Sequence, residues 1–264
     1  AQSSYEGSSH HYFLENRKGK FIRVPNGKWM DESLSKIILD PAIPNGGIDR
    51  LNGAGIEDID GDGQIDLLLI SSIGESLHNP RIVFGKKGKF KEANVVEFPP
   101  DRYFKNTSII PTFTVVDLDG NGLKDLILAY QSSASGTFEG MSFQVMLQTK
   151  PRVFKDKTKR YFPNAPYKKG GWCYDIYLVD LNNDEREDLV CGSIYEYRNG
   201  EPPRIFLQQK NKQFLPVRPS DIVGRNTNFL VGLRAIDIDG DGDIELVGYK
   251  LNTMSNATAG ITVQ

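Results

Sequence analysis

Four nine-residue acidic stretches share one frame: "DIDGDGQID" (58–66), "DLDGNGLKD" (117–125), "DLNNDERED" (180–188) and "DIDGDGDIE" (237–245). Their starts lie 59, 63 and 57 residues apart. A period of this length marks supersecondary units, each burying its apolar face against its neighbours. The fold must therefore be assembled from about four copies of one unit, each carrying the acidic stretch at the same place.

The flanks say what the unit is made of. "GAGIEDI", "FTVVDL", "YDIYLVDL" and "LRAIDI" precede the four frames, and "DLLLISS", "DLILAY", "DLVCGSI" and "ELVGY" follow them. These runs are rich in β-branched and aromatic residues and have strand length. A third run follows in three units: "RIVFG" (81–85), "MSFQVMLQ" (141–148) and "RIFLQQ" (204–209). A short turn then leads to a fourth, marked by Phe90, Phe154 or Phe214. The unit is thus four antiparallel strands, with the acidic loop joining the first to the second. The sequence predicts an all-β chain, a β-propeller of four-stranded blades forming one domain over 1–264. The repeat units span 48–95, 108–158, 172–217 and 230–264, the last taken with 11–24. A single short helix is expected near 30–39.

The strand at 259–264 leaves the last unit without a fourth strand. Either 20–24 supplies it, closing a four-bladed ring by exchange between the termini, or the chain is part of a larger propeller. Lysines 86, 87, 89, 91, 155, 157 and 159 fall on the fourth strands or beside them, where positive charge discourages pairing with other chains.

Carboxylates at alternate positions of a short loop repel unless something neutralises them. Hard cations such as calcium take about six to eight oxygens, and acidic loops supply them. Side chains at positions one, three, five and nine, with the carbonyl of position seven, form such a set. Glycines at positions four and six admit left-handed turns. The expected ligands are Asp58, Asp60, Asp62, Gln64 and Asp66; Asp117, Asp119, Asn121, Leu123 and Asp125; Asp180, Asn182, Asp184, Arg186 and Asp188; and Asp237, Asp239, Asp241, Asp243 and Glu245. Gln64, Leu123, Arg186 and Asp243 act through their carbonyls. Up to four calcium ions are expected, one per loop. The third loop, with Asn183 and Glu185 in place of both glycines, is the weakest. Position twelve is Leu69, Leu128, Cys191 or Gly248, so the loops are not EF-hands, which need glutamate there. No histidine lies near a loop, which argues against zinc or copper. His10, His11 and His78 are read as solvated side chains.

The pattern Asp-x-Asp-Gly-Asp-Gly-x-x-Asp-Leu, followed by a strand and a Gly-Lys-Phe-like turn, resembles the FG-GAP/VCBS repeat. That family includes the α-subunit propeller of integrins and many bacterial surface proteins. The resemblance covers nearly the whole chain and implies a calcium-stabilised propeller that is secreted, at the cell surface or periplasmic.

Setting aside the fourteen side-chain carboxylates among the ligands leaves 20 acidic against 32 basic residues. Four divalent ions would move the formal charge from −2 to +6, and such a surface attracts anionic partners. The segment 150–172 mixes basic residues with Phe154, Tyr161, Phe162, Tyr167 and Trp172, a combination suited to acidic polysaccharide if exposed and otherwise an edge strand with a basic loop. The function expected is an adhesion or ligand-binding module for a glycan or protein, with no nucleic-acid partner and no membrane span. Two alternatives remain: a calcium-dependent polysaccharide lyase, or a structural subunit of a surface assembly. No nucleophile elbow, zinc motif or phosphate loop occurs, and no catalytic residue is assigned.

Cys173 and Cys191 are the only cysteines. A hairpin centred near Asp184 puts Cys191 opposite Tyr177, about 13 Å along the strand from Cys173. That is beyond disulfide reach unless a bulge intervenes; the alternative is two buried thiols. Asn106 and Asn256 begin N-glycosylation sequons, meaningful only in a eukaryotic secretory setting.

Overall fold

The computed structural model describes residues 13–24, 51–71, 79–104, 108–132, 140–167, 172–194, 204–217, 230–250 and 261–263. The chain divides into two compact units, Ala1–Pro100 and Asp101–Gln264.

In the first unit, β1 (Phe13–Arg17) and β2 (Lys20–Val24) form a hairpin. A separate four-stranded antiparallel meander follows, of β3 (Leu51–Glu57), β4 (Asp66–Ser71), β5 (Arg81–Lys86) and β6 (Lys89–Glu97). The middle strands carry the burial. Leu67, Leu68, Leu69 and Ile70 of β4 and Ile82, Val83 and Phe84 of β5 are all buried. Such unbroken apolar runs suit strands covered on both faces.

The second unit repeats the meander. Its first sheet holds β7 (Ser108–Val116), β8 (Asp125–Ser132), β9 (Met141–Lys150) and β10 (Val153–Asp156). Its second holds β11 (Trp172–Val179), β12 (Asp188–Ile194), β13 (Arg204–Gln208) and β14 (Phe214–Pro216). A third holds β15 (Leu230–Ile236), β16 (Glu245–Lys250) and β17 (Ile261–Val263). β7 lies beside β11, and β11 beside β15, so the first strands of successive sheets are neighbours. All four first strands carry a register shift, at Leu51/Gly53, Ile109/Thr112, Cys173/Asp175 and Val231/Arg234. Bulges of this kind bend a strand and raise its twist.

The chain is therefore all-β, built of meanders in which the acidic frame always joins the first strand to the second. β17 is the expected third strand of the last sheet. Among the described pairings β1–β2 is a sheet of its own, so the exchange of residues 20–24 into the last sheet is not among them. The helix expected near 30–39, the histidines and both sequons lie outside the described residues. The helix found, α1 (Thr158–Tyr161), is a single turn after β10.

Two expectations are corrected. Tyr161 and Phe162 are fully buried and Tyr167 nearly so, so these three aromatics of 150–172 do not belong to an exposed binding stripe. Phe162 stacks between Phe143, with centroids 4.4 Å apart, and Phe214, at 5.1 Å, and α1 with the chain after it fills the core between two sheets. The lysines around it, Lys155, Lys157 and Lys159, are exposed. The cysteine register also differs. Cys191 pairs with Ile176, and the bulge after Cys173 sets that residue opposite Ser193. The two Cα atoms are then 5.2 Å apart and the sulfurs are bonded. The bulge supplies the reach that a regular ladder lacks.

Candidate metal centres

The four acidic loops are built by one set of backbone hydrogen bonds. At position one, Asp58 accepts N–H groups from Gly61 (2.9 Å) and Gly63 (2.9 Å), Asp117 from Gly120 (2.8 Å) and Gly122 (2.8 Å), and Asp237 from Gly240 (2.7 Å) and Gly242 (3.1 Å). Those glycines sit at φ between 76° and 94°, where a Cβ is strained. In the third loop Asn183 (φ 56°) and Glu185 (φ 64°) take the same conformation. Position three accepts the N–H of position five at Asp60, Asp119 and Asp239. Position five accepts the N–H of position seven in all four loops, at Asp62, Asn121, Asp184 and Asp241. Each bond curls the loop so that its side-chain oxygens turn to one side.

In three loops the result is a cluster. Carboxylate oxygens of Asp58, Asp60 and Asp62 lie within 4.8 Å of one another, as do those of Asp117, Asp119 and Asp125, and those of Asp237, Asp239 and Glu245. A carboxylate has about four acceptor directions; Asp58 and Asp117 each take two N–H bonds on Oδ1 and one on Oδ2, which still leaves a lone pair for a cation. The donors are all hard oxygens, which suits calcium over zinc or copper. In the third loop Asp180, Asp184 and Asp188 are not gathered in this way among the described residues. There the side chain of Arg186 turns back and pairs with Asp184.

Position nine has a task that alternate spacing did not reveal. Asp66, Asp125 and Asp188 are fully buried. One oxygen of each accepts the N–H of position two, from Ile59, Leu118 and Leu181. The other accepts an N–H from the third-strand side, from Gly85 (2.9 Å), Gln148 (2.7 Å) and Gln208 (2.7 Å). Glu245 takes Ile238 likewise. This carboxylate staples the loop to the strand beyond it. Burial pushes Asp66, Asp125 and Asp188 above the usual carboxylate range against the pull of those donors. Asp125 reaches about 6, where the charges of Asp119 and Asp117 add to burial. In the third loop desolvation of Asp180 is outweighed by N–H groups of Asp184, Glu185, Asn182 and Asn183, and its carboxyl stays below the usual range.

Neighbouring loops are tied by contacts with no local sequence signal. Lys212 Nζ donates to the carbonyls of Leu118 (3.3 Å) and Asp119 (2.9 Å), across more than ninety residues. Asn183 Nδ2 donates to Gly242 O (3.3 Å) and to the Asp243 side chain (3.1 Å). Arg186, by contrast, was legible, as the one cationic residue at position seven.

No curated protein is similar enough in sequence to count as a relative. Among solved structures, one from Bifidobacterium bifidum, provisionally assigned as an exo-beta-1,3-galactanase, overlays with a TM-score of 0.43 at 12% identity. That overlay takes in 83% of this chain and 68% of that one, and at this distance it says nothing of the chemistry here. The sequence pattern of the FG-GAP-like repeat matches residues 58–128, 117–191 and 180–248, each match running from one acidic loop through the next. With most of its length covered by three overlapping copies of that pattern, the chain belongs to the FG-GAP-like repeat family.

Proposed function

We propose that this chain is a calcium-stabilised β-propeller module, working outside the reducing cytoplasm, that binds a protein or glycan partner. The carrying observation is the gathering of carboxylates in three loops at the same place in the repeat: Asp58, Asp60 and Asp62; Asp117, Asp119 and Asp125; Asp237, Asp239 and Glu245. Calcium at these loops would supply charge neutralisation alone. The chain's own residues do the rest: position one fixes the turn, positions three and five present oxygens, and position nine anchors the loop. The adjacency of the first strands β7, β11 and β15 supports the propeller arrangement. The Cys173–Cys191 bond supports an oxidising compartment. A binding role is favoured over a catalytic one because the motif carboxylates are committed to the loops' own N–H groups.

The test is thermal unfolding with calorimetric calcium titration. A cation that binds only the folded state adds about 2.7 kcal/mol per site at a hundredfold excess over Kd. Saturating calcium should raise Tm by several degrees over chelator, and Asp58→Asn and Asp117→Asn should each remove part of that rise. Identical melting curves in calcium and in chelator would refute the reading. A glycan array and a pull-down against extracellular proteins, each run with and without calcium, test the partner class.

A further inference from the structure

We propose that the third acidic loop takes no metal ion and that the guanidinium of Arg186 does there the work a cation does in the other three. This rests on the calcium reading of loops one, two and four.

The second and third loops are the informative pair. In both, the position-nine carboxylate accepts the N–H of a β-strand glutamine, Gln148 or Gln208. In both, the carbonyl of that same glutamine accepts from a side chain of the loop, Asn121 in the second and Arg186 in the third. In the second loop position five is Asn121, whose Nδ2 donates to Gln148 O (3.0 Å). In the third it is Asp184, which has no proton to donate. A carboxylate and a carbonyl are both acceptors, so a third group has to supply the donors that serve them. Arg186 does so. Its Nε donates to Gln208 O (2.9 Å), its Nη1 to Asp184 O (3.2 Å) and its Nη2 to Asp184 Oδ2. A guanidinium offers five donors in a rigid fork, and three are used here, two on Asp184 and one on β13.

The rest of the loop agrees. Position three is Asn182, which leaves three side-chain carboxylates as in the second loop, but here they are not gathered to one point among the described residues. The side chains of Arg186 and Asp184 are 28% and 25% exposed, sheltered enough for the pair to be held in one geometry. Position seven elsewhere is Gln64, Leu123 or Asp243, none of which is cationic.

Two measurements decide it. The first counts bound calcium by elemental analysis of the whole protein after dialysis. Three ions are expected; Asp58→Asn, Asp117→Asn and Asp237→Asn should each lose one, and Asp180→Asn none. Four ions, falling to three in Asp180→Asn, would overturn the proposal. The second is melting in chelator, where no metal contributes. Arg186→Met should lower Tm by about 2–4 °C, the shift on the order of one partly buried pair. Adding Asp184→Asn to Arg186→Met supplies a carboxamide able to reach Gln208 O as Asn121 reaches Gln148 O, and should recover at least half the loss. No loss in the single variant, or no recovery in the double one, overturns the proposal. If no calcium binds anywhere, the reading of the other three loops fails, and Arg186→Met with its partner substitution in chelator still decides the third.

Discussion

Gly85 is the residue on which the first loop's construction is most exposed to test. It lies in β5 under the loop, and its N–H donates to Asp66 Oδ1. A Cβ built there would sit 2.1 Å from Ile65 O, 3.2 Å from Ile65 C and 3.4 Å from Phe90 Cε1. The first two neighbours are backbone, so no side-chain rotation relieves the contact. Ordinary carbon–oxygen separations are about 3.3–3.6 Å; the strand and loop must therefore part by more than an ångström, which breaks the bond to Asp66. Overpacking of this kind costs about 1–3 kcal/mol. Depriving the buried Asp66 of a donor costs about 1–3 kcal/mol more. Gly85→Ala should thus destabilise by about 4 kcal/mol, a Tm drop on the order of 8–16 °C. The control is Gly88→Ala, at φ 69° with nothing within 4 Å of a Cβ, which should cost only the left-handed backbone, about 1–2 kcal/mol. Urea unfolding of both variants gives the comparison, and hydrogen exchange of peptides covering 58–97 locates the loss. A Gly85→Ala protein no less stable than Gly88→Ala would refute the idea that close passage of β5 under the loop fixes the first meander.

Three further outcomes follow from single residues. Glu185 holds a left-handed φ of 64°, so Glu185→Gly should stabilise by about 1 kcal/mol in urea unfolding, and a loss of stability would mean its side chain matters more than its backbone. Asp156 Oδ1 accepts from Thr158 N (2.9 Å) and Oγ1 (2.7 Å), and Oδ2 from Arg102 (3.2 Å); burial raises its pKa, but these donors outweigh that and hold it below the usual range. Stability from a depressed carboxyl is present above the unfolded pKa of about 3.9 and lost as pH falls through the folded value, so Asp156→Ala should cost about 1–2 kcal/mol at pH 7, and the gap should narrow as pH falls below the usual carboxylate range. Phe162→Ala should cost about 3–5 kcal/mol as a core truncation, whereas a side chain serving a surface ligand would leave the melting curve in place.

What was legible in the sequence was whatever repeats with a short period. Asp58, Asp60 and Asp62 alternate, and the loop that holds them is curled by bonds spanning two to five residues, so spacing alone found three clusters. Position nine was found as an acid but read only as a ligand. Its second role depends on Gly85, Gln148 and Gln208, which lie 19, 23 and 20 residues further on, at offsets set by the hairpin between. The cysteines show the same limit, since a one-residue change of register and a bulge after Cys173 turn an unreachable pair into neighbours. Phe162 and Tyr161 misled for another reason. Composition marks a basic-aromatic segment, but one turn of helix after β10 points the rings inward and leaves the lysines outside. Arg186 was counted for its carbonyl because the frame assigns position seven that role, and its side chain answers to Asp184 instead.

These two classes of bond imply an order of events when the ions are removed. The position-nine staples join loop to strand through N–H groups and need no metal, and β4, β8 and β12 are buried by apolar packing. Chelation should therefore leave the sheets in place and loosen what like charges push apart, namely positions one to six of loops one, two and four. The third loop, with Arg186 fixed on Asp184, has its own counter-charge and should not respond. Far-UV circular dichroism should stay unchanged in chelator, while amide exchange rises tenfold or more over 58–63, 117–122 and 237–242, the factor that about 1.4 kcal/mol of local destabilisation gives. Exchange over 180–188 should hold constant. Uniform acceleration through all four loops, or collapse of the strand signal, would mean that the ions hold the blades themselves and that the buried staples are a consequence of the fold and not its support.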